Sequence, residues 1–284
     1  MRILLTGRTG QVGSALERTL APLGDVVSLD RAGLDLFDLK SIGKAIEKEK
    51  PEVIVNAAAY TAVDRAETER EAAFAVNAAA VGVLAEAAKK LDALLVHFST
   101  DYVFDGNKPA PYLESDAPNP LNVYGQSKLE GERAVTASGC RHLIFRTSWV
   151  YGPRGRNFLL SILAAAREKP ELRVVDDQRG APTSSQAIAR AVAFVLSNLS
   201  SGKVPGGVYH LSAAGQTTWH GFAREILERK GLEVPLVPIS SAEFAAAARR
   251  PRNSMLDNAN ISGTFGITLP DWREDLAAVL SAIH

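Results

Sequence analysis

The sequence predicts an α/β fold built on a doubly wound parallel sheet, with a smaller C-terminal lobe. Short apolar runs rich in Val, Ile and Leu alternate with helix-like stretches, a pattern typical of a parallel sheet covered by helices on both faces. The length of 284 residues suits one large α/β domain or a pair that shares a cleft. The predicted strands, six or seven in all, include residues 3–5, 26–29, 53–55, 94–98, 143–145 and 208–211.

Helices are expected between these strands. Asp38 is the expected N-cap of a helix that stops before Pro51, and the Ala-rich residues 67–91 contain few helix breakers. Both helices would cross over between parallel strands. After Trp149 the pattern changes to helix-period segments separated by loops rich in Pro, Arg and Asn, which predicts a second lobe.

The composition argues against several classes of partner. The 32 Lys and Arg residues balance the 32 Asp and Glu residues, so no net charge attracts the chain to nucleic acid or to an anionic membrane. The longest apolar run, residues 191–196, is far shorter than the ~20 residues of a membrane span. The single cysteine, Cys140, excludes an intrachain disulfide, which favours a cytoplasmic location.

A glycine-rich turn directly follows the first predicted strand. Gly7, Gly10 and Gly13 form a G-x-x-G-x-x-G pattern at the start of a predicted helix that begins with Gln11 and Val12. Small residues let the backbone turn sharply and approach a pyrophosphate at the helix N-terminus. Inside a βαβ unit, this turn predicts a Rossmann-type dinucleotide-binding domain.

The end of the second predicted strand bears on the choice of dinucleotide. Asp30 stands where a carboxylate would accept hydrogen bonds from the adenosine ribose. Arg31 beside it, and Arg8 inside the glycine turn, could instead hold a 2′-phosphate, so NADH and NADPH are both open. The five histidines show no metal-ligand spacing, so no metal site is predicted. His97 lies in an apolar run and is expected to be a core residue.

A Tyr-x-x-x-Lys pair lies near the predicted carboxyl edge of the sheet. Tyr124 and Lys128 share one face of a predicted helix, and Thr100 and Asp101 end the fourth strand. Tyr124 is the expected general acid for reduction of a ketone. An ammonium about 4 Å away can lower a phenol pKa by about 3 units, and Lys128 is expected to do so. Lys128 would also hold the nicotinamide ribose, and Thr100 the carbonyl oxygen.

The order of these motifs is similar to that in the extended short-chain dehydrogenases/reductases. Longer stretches resemble one family among them, the dTDP-4-dehydrorhamnose reductases, over nearly the whole chain. The matching segments are residues 53–64 (VIVNAAAYTAVD), 99–106 (STDYVFDG), 122–128 (NVYGQSK), 145–151 (FRTSWVY), 177–183 (DQRGAPT), 217–220 (TTWH) and 248–254 (ARRPRNS).

The resemblance implies reduction of the C4 ketone of dTDP-4-dehydro-L-rhamnose by NADH or NADPH, the last step of dTDP-L-rhamnose synthesis. Thr100, Tyr124 and Lys128 would be the catalytic residues. The dinucleotide would contact Gly7, Gly10, Gln11, Val12, Gly13, Asp30, Arg31, Asp35, Leu36, Ala59, Tyr60 and Thr61, together with Tyr124 and Lys128. The nucleotide sugar would contact Thr100, Asp101, Trp149, Asn157, Gln178, Arg249 and Arg250.

The change of pattern after Trp149 predicts a domain division. Residues 1–150 would form the Rossmann-type domain, joined by segments from about 181–218, while 151–180 and 219–284 would form the smaller nucleotide-sugar-binding lobe. Members of the family are described as dimers bridged by Mg²⁺ through carboxylates at a place that here holds Ser, Ser and Gln, residues 184–186. A homodimer therefore stays open, and no metal is expected.

Two alternatives share these residues. Another nucleotide-sugar epimerase or reductase of the same fold would use the same Tyr and Lys, whereas a dehydratase is disfavoured because Tyr102 occupies the place of its catalytic Glu. The second alternative is a non-catalytic regulatory subunit, since a fold can serve protein binding. The presence of Thr100, Tyr124 and Lys128 favours an enzyme, and net consumption of NAD(P)H separates a reductase from an epimerase.

Overall fold

The computed structural model describes residues 1–198 and 205–283, so residues 199–204 of the segment expected to join the first domain, and His284, lie outside the description. The strands are β1 (Arg2–Thr6), β2 (Asp25–Leu29), β3 (Val53–Asn56), β4 (Leu94–Thr100), β5 (His142–Thr147), β6 (Val150–Tyr151), β7 (Leu172–Val175), β8 (Arg179–Gly180), β9 (Thr183–Ser184), β10 (Gly207–His210), β11 (Thr217–Thr218) and β12 (Leu236–Ile239). Six of them form one sheet in the order β10-β5-β4-β3-β1-β2, and every pair in it is parallel. The predicted doubly wound sheet and its six named strands are confirmed.

Helices cover both faces of this sheet and build the second lobe. They are α1 (Gln11–Leu20), α2 (Leu39–Glu49), α3 (Val63–Ala66), α4 (Arg70–Phe74), α5 (Ala80–Lys90), α6 (Val123–Ser138), α7 (Phe158–Glu168), α8 (Ser185–Ser197), α9 (Trp219–Lys230), α10 (Ser241–Phe244), α11 (Ala259–Phe265) and α12 (Trp272–Ser281). Short 3₁₀ turns occur at Ala21–Leu23 and Asp101–Val103.

Local side-chain chemistry explains where the helices near the cleft begin. The carboxylate of Asp38 accepts from two backbone N–H groups of the first turn of α2, as predicted. Asn122 caps α6 in the same way, because its side-chain oxygen accepts from the N–H of Gly125 at 2.8 Å. The long helix predicted over 67–91 is present, but it is interrupted by a π-helical turn at Ala75–Ala79.

The second lobe has its own apolar core, formed by α7, α9, α12 and small two-stranded sheets. The chain also returns to the main sheet: α8 packs on α1, and β10 adds the edge strand beside β5. Ile261 and Ile267 lie in a range expected for the smaller lobe, yet both pack in the core under the main sheet. Their burial there places α11 against β10, so the last third of the chain is shared between the two lobes.

Within residues 1–198 and 205–283, one helical segment meets the length and composition expected of a membrane span. It is Arg70–Lys90, and 44% of its apolar window is buried within the protein. Val76, Val81, Leu84 and Ala88 lie on its inner face and pack in the core beside the sheet. The segment is therefore a core helix in this structure, and the apolar character of its face is explained by that packing.

Candidate active site

A cleft of about 730 Å³ opens at the carboxyl ends of the sheet strands. In an open parallel sheet, ligands bind at this edge. The residues predicted for the dinucleotide meet here, with the exception of Gly13. Those that line the cleft are Gly7, Gly10, Gln11, Val12, Asp30, Arg31, Asp35, Leu36, Ala59, Tyr60, Thr61, Tyr124 and Lys128.

Two glycines of the turn, Gly7 and Gly13, have no room for a side chain. Gly7 has a positive φ of 72°, and a Cβ there would lie 2.6 Å from the backbone nitrogen of Ala58. A Cβ on Gly13 would overlap the carbonyl oxygen of Gly7, so Gly13 contributes by close packing behind the turn and not by lining the cleft. No side chain caps α1 at Gly10, which leaves its first N–H groups facing the cleft. Such a helix start suits an anion.

Asp30 and the neighbouring arginines have partners within the protein. One carboxylate oxygen of Asp30 accepts from the N–H groups of Ala32 and Gly33, each at 3.0 Å. The guanidinium of Arg31 stacks over the Phe37 ring at 5.2 Å. Arg8 forms an ion pair with Glu17 at 2.9 Å. Asp30 and Arg31 thus stand at the same end of the cleft.

The predicted catalytic side chains converge at the floor of the cleft. Thr100 ends β4, while Tyr124 and Lys128 project from the first two turns of α6, and all three line the cleft. The Thr100 hydroxyl donates to Oδ1 of Asp101 at 3.0 Å and lies near enough to the Tyr124 phenol to affect its pKa. Lys128 is only 2% exposed, and its Nζ lies 3.3 Å from Nε2 of His97. His97 is the buried core residue that was predicted, but its contact with Lys128 was missed.

The expected lowering of the Tyr124 pKa is wrong for the protein alone. Burial raises the pKa of the phenol, and the nearby Asp101 carboxylate acts in the same direction, whereas the neighbouring Thr100 hydroxyl acts to lower it. Burial also lowers the pKa of Lys128 to about 8, against the opposing effect of the Glu132 carboxylate. The cause is common to both residues: enclosure disfavours either charged form.

Asp101 is a further buried acid beside the catalytic residues. Burial raises its pKa to about 7, although the neighbouring Ser254 and Thr100 hydroxyls act in the other direction. Its Oδ1 accepts from the Thr100 hydroxyl at 3.0 Å, and its Oδ2 has no partner within the described protein. Tyr102, which follows it, packs edge-on against Tyr124 at 5.9 Å.

An indole pair stands at the border of the two lobes. The Trp149 and Trp219 rings stack at 3.6 Å and 7°, and both line the cleft. The Trp219 Nε1–H donates to Oε1 of Gln178 at 3.1 Å, so Gln178 supports the stack without lining the cleft. Trp219 was not predicted as a site residue, although the matching segment TTWH contains it; Arg156, at the cleft rim, was also missed.

Three other residues predicted for the sugar nucleotide are placed outside the cleft lining. Asn157 caps α7 and donates to Oε1 of Gln11 at 3.0 Å. Arg250 is paired with Asp64, with its two donors at 3.0 and 2.6 Å from the carboxylate. Arg249 is exposed beside it. The positive charge of Arg250 is thus largely neutralised in the protein alone, and these three roles stay predictions.

Residues 1–198 and 205–283 contain no group of three or more His, Cys, Asp or Glu side chains placed to hold a metal ion.

Comparison with known proteins agrees with this geometry. The whole chain, residues 1–284, matches the family model of the RmlD substrate binding domain. It is 49% identical to the dTDP-4-dehydrorhamnose reductase of Burkholderia thailandensis, with 96% of each chain covered. It is 42% identical to that of Escherichia coli, with 100% of this chain and 98% of the relative covered.

Solved structures give the same result. The dTDP-4-dehydrorhamnose reductase of Bacillus anthracis, in complex with NADP, superposes with a TM-score of 0.93 at 35% identity, with 99% of each chain covered. A UDP-glucose 4-epimerase of Thermotoga maritima, at 19% identity and a TM-score of 0.84, shares the fold. The chain therefore belongs to the RmlD family and is similar over its whole length to dTDP-4-dehydrorhamnose reductases.

Proposed function

We propose that this protein reduces the C4 ketone of dTDP-4-dehydro-L-rhamnose with NADPH or NADH, which yields dTDP-L-rhamnose for cell-surface polysaccharide synthesis. The observation that carries the proposal is the convergence of Thr100, Tyr124 and Lys128 beside the glycine turn in one cleft. The residues fit a dinucleotide because Gly7 and Gly13, which have no side chains, allow a tight turn, and because α1 begins without a side-chain cap. The full-length similarity to reductases of this name supports the same substrate.

The proton that the ketone oxygen gains is supplied by the chain's own residues. Bound NAD(P)H supplies a hydride to C4, and the ketone oxygen becomes an alkoxide. Tyr124 donates its phenolic proton to that oxygen, which the Thr100 hydroxyl steadies. An alkoxide is far more basic than a phenolate, so the transfer is favourable even from a buried phenol. Lys128 stabilises the phenolate, which solvent then reprotonates.

Consumption of cofactor tests the proposal. Purified protein, dTDP-4-dehydro-L-rhamnose and each nicotinamide cofactor in turn should give one oxidised cofactor for each sugar reduced. An epimerase of the same fold would return its hydride and consume no net cofactor. If no cofactor were oxidised with this or any related dTDP-4-keto sugar, the proposed reductase activity would be wrong and a non-catalytic role would be favoured.

The charge of Asp30 is expected to influence cofactor preference. Asp30→Asn keeps an oxygen that can accept from Ala32 and Gly33 but removes a negative charge that repels a 2′-phosphate. We expect the ratio of kcat/KM for NADPH to that for NADH to rise about three- to tenfold. Arg31→Gln is the matched variant and should move the ratio the other way. Equal ratios in both variants would contradict the assignment of this end of the cleft.

The packing of the glycine turn leads to a prediction about cofactor affinity. Gly13→Ala places a methyl group against the carbonyl oxygen of Gly7, so the turn must move. We expect roughly 1–3 kcal/mol lower free energy of unfolding and at least about tenfold weaker NADPH binding by calorimetry. Gly43→Ala, with no atom within 4 Å of the added methyl, is the control and should stabilise α2. Unchanged affinity in Gly13→Ala would contradict the predicted role of the turn.

We also propose a cytoplasmic location, because the chain has a single cysteine. We further propose that the protein forms a homodimer that needs no bridging Mg²⁺, because residues 184–186 lack a carboxylate. Sedimentation with and without EDTA tests the assembly. A dimer that EDTA dissociates would overturn the metal-free proposal.

A further inference from the structure

A buried row of hydrogen bonds leads from the first strand to the lysine of the cleft. The hydroxyl of Thr6 in β1 donates to Oδ1 of Asn56 in β3 at 2.7 Å. Nδ2 of Asn56 lies 3.1 Å from Nδ1 of His97 in β4, and Nε2 of His97 lies 3.3 Å from Nζ of Lys128 in α6. None of the four residues is more than 2% exposed. The strand order, with β3 between β1 and β4, brings them together.

The hydrogen bonds on the two sides of His97 are linked, because its two ring nitrogens have opposite roles when the imidazole is neutral. Burial and the charge of Lys128 hold the pKa of His97 well below its usual range, so the imidazole is neutral. A neutral imidazole donates from one nitrogen and accepts at the other. With the amide as placed, Asn56 donates to Nδ1, so Nε2 carries the hydrogen and donates to Lys128. Lys128 can accept only as a neutral amine.

The opposite direction suits the charged lysine. An ammonium has donors only, so Nε2 of His97 must accept from it and Nδ1 must carry the hydrogen. The Asn56 amide must then turn around, so that its oxygen accepts from Nδ1 and its nitrogen donates to the Thr6 hydroxyl. A hydroxyl can accept as well as donate, so Thr6 can bond the Asn56 amide in either orientation.

We propose that His97 is a positioning residue for Lys128, and that the row Thr6, Asn56 and His97 reverses its hydrogen bonds when Lys128 gains or loses its proton. The inference rests on the proposed function only in assigning Lys128 to the reaction. The reversal keeps the Lys128 nitrogen at the cleft floor in either charge state, because each state has a matching partner at Nε2.

The groups around Lys128 act on its charge in opposite directions. On α6, Glu132 lies one turn further and favours the charged lysine, but both of its oxygens accept from Arg146 of β5, at 2.9 and 2.7 Å. Tyr124 stands one turn before it, facing Asp101 of the loop after β4. Burial opposes the charge and lowers the pKa of Lys128 to about 8.

Nitrogen NMR of the histidine ring tests the reversal without turnover. In protein labelled with ¹⁵N-histidine, the His97 signals are those absent from His97→Gln. Between about pH 6 and about pH 10, we expect the hydrogen to move from Nδ1 to Nε2 as Lys128 loses its proton. Lys128→Met should abolish this change. A wild-type His97 that keeps one tautomer throughout, or the same change in Lys128→Met, would overturn the proposal.

The pH dependence of kcat gives a second test in the protein with cofactor and keto sugar. His97→Leu leaves the ammonium without its acceptor, so we expect kcat to fall roughly tenfold to hundredfold and the basic limb to move to lower pH. His97→Gln offers an amide oxygen in place of Nε2 and should restore most of the rate. Asn56→Asp can only accept, which favours the charged lysine and should move the basic limb to higher pH.

These variants separate the two proposals. If His97→Leu fails to fold, His97→Gln and Asn56→Asp still decide the kinetic test, because both keep polar groups in the buried row. Folded variants whose basic limb matches that of the wild type would show that His97 is only a core residue. A wild type that oxidises no cofactor would overturn the proposed function, while the NMR titration would still test whether the hydrogen bonds of Thr6, Asn56 and His97 reverse.

Discussion

Replacement of Tyr124 by Phe is expected to lower kcat about 10²–10⁴-fold, the range typical for loss of a general acid. Phenylalanine has no hydroxyl, so it cannot donate the proton that Tyr124 is proposed to supply. The ring itself is retained, so the edge-on contact with Tyr102 persists and cofactor affinity should change little. Steady-state kinetics, with calorimetric titration of NADPH, measure the two effects separately.

Tyr209→Phe is the matched control for this variant. Its hydroxyl donates to the carbonyl oxygen of Pro205 at 2.9 Å, and its ring packs under the main sheet away from the cleft. We expect a loss of roughly 1 kcal/mol of stability and an unchanged kcat. Full activity in Tyr124→Phe would refute the acid role of Tyr124, whatever the result for the control.

Replacement of Glu132 by Ala is expected to destabilise the protein by about 3–5 kcal/mol. Glu132 and Arg146 form a two-pronged ion pair in which each side chain is only 5% exposed. Removal of the carboxylate leaves the guanidinium buried without its counter-charge. The melting temperature should fall by roughly 10 °C in a thermal melt.

Glu130→Ala tests whether burial is the cause. Glu130 pairs with Arg133 on the same helix, but this pair is exposed and should contribute less than about 1 kcal/mol. A double variant, Glu132→Leu with Arg146→Met, should recover much of the stability, because it removes both buried charges. Equal losses in Glu130→Ala and Glu132→Ala would contradict the argument.

The strands and caps near the cleft were predictable from local residues. The short apolar run at β3 and the cap at Asp38 depend on neighbours in sequence, and the structure confirms them. The interruption at Ala75–Ala79 was not predictable. There the side-chain oxygen of Asn77 accepts from the backbone N–H of Tyr60, and its amide nitrogen donates to the Tyr60 carbonyl oxygen. These contacts are made only in the folded chain.

The location of the cleft followed from motif order, but the charge states within it did not. Spacing on α6 places Tyr124 and Lys128 on one face, which is a property of the helix period. The direction of their pKa shifts depends on enclosure, and enclosure is created by segments distant in sequence, such as β4 and the loop that carries Ser254. The expectation of a lowered phenol pKa therefore failed.

The sequence by itself determined the parallel sheet, the glycine turn and the family to which the chain belongs, because these depend on residue type, period and motif order. Only the tertiary structure decided which partners the functional groups have. It joined Lys128 to His97, stacked Trp149 on Trp219 and paired Arg250 with Asp64. Each contact joins residues 31 or more positions apart, and no local pattern encodes a distance across the fold.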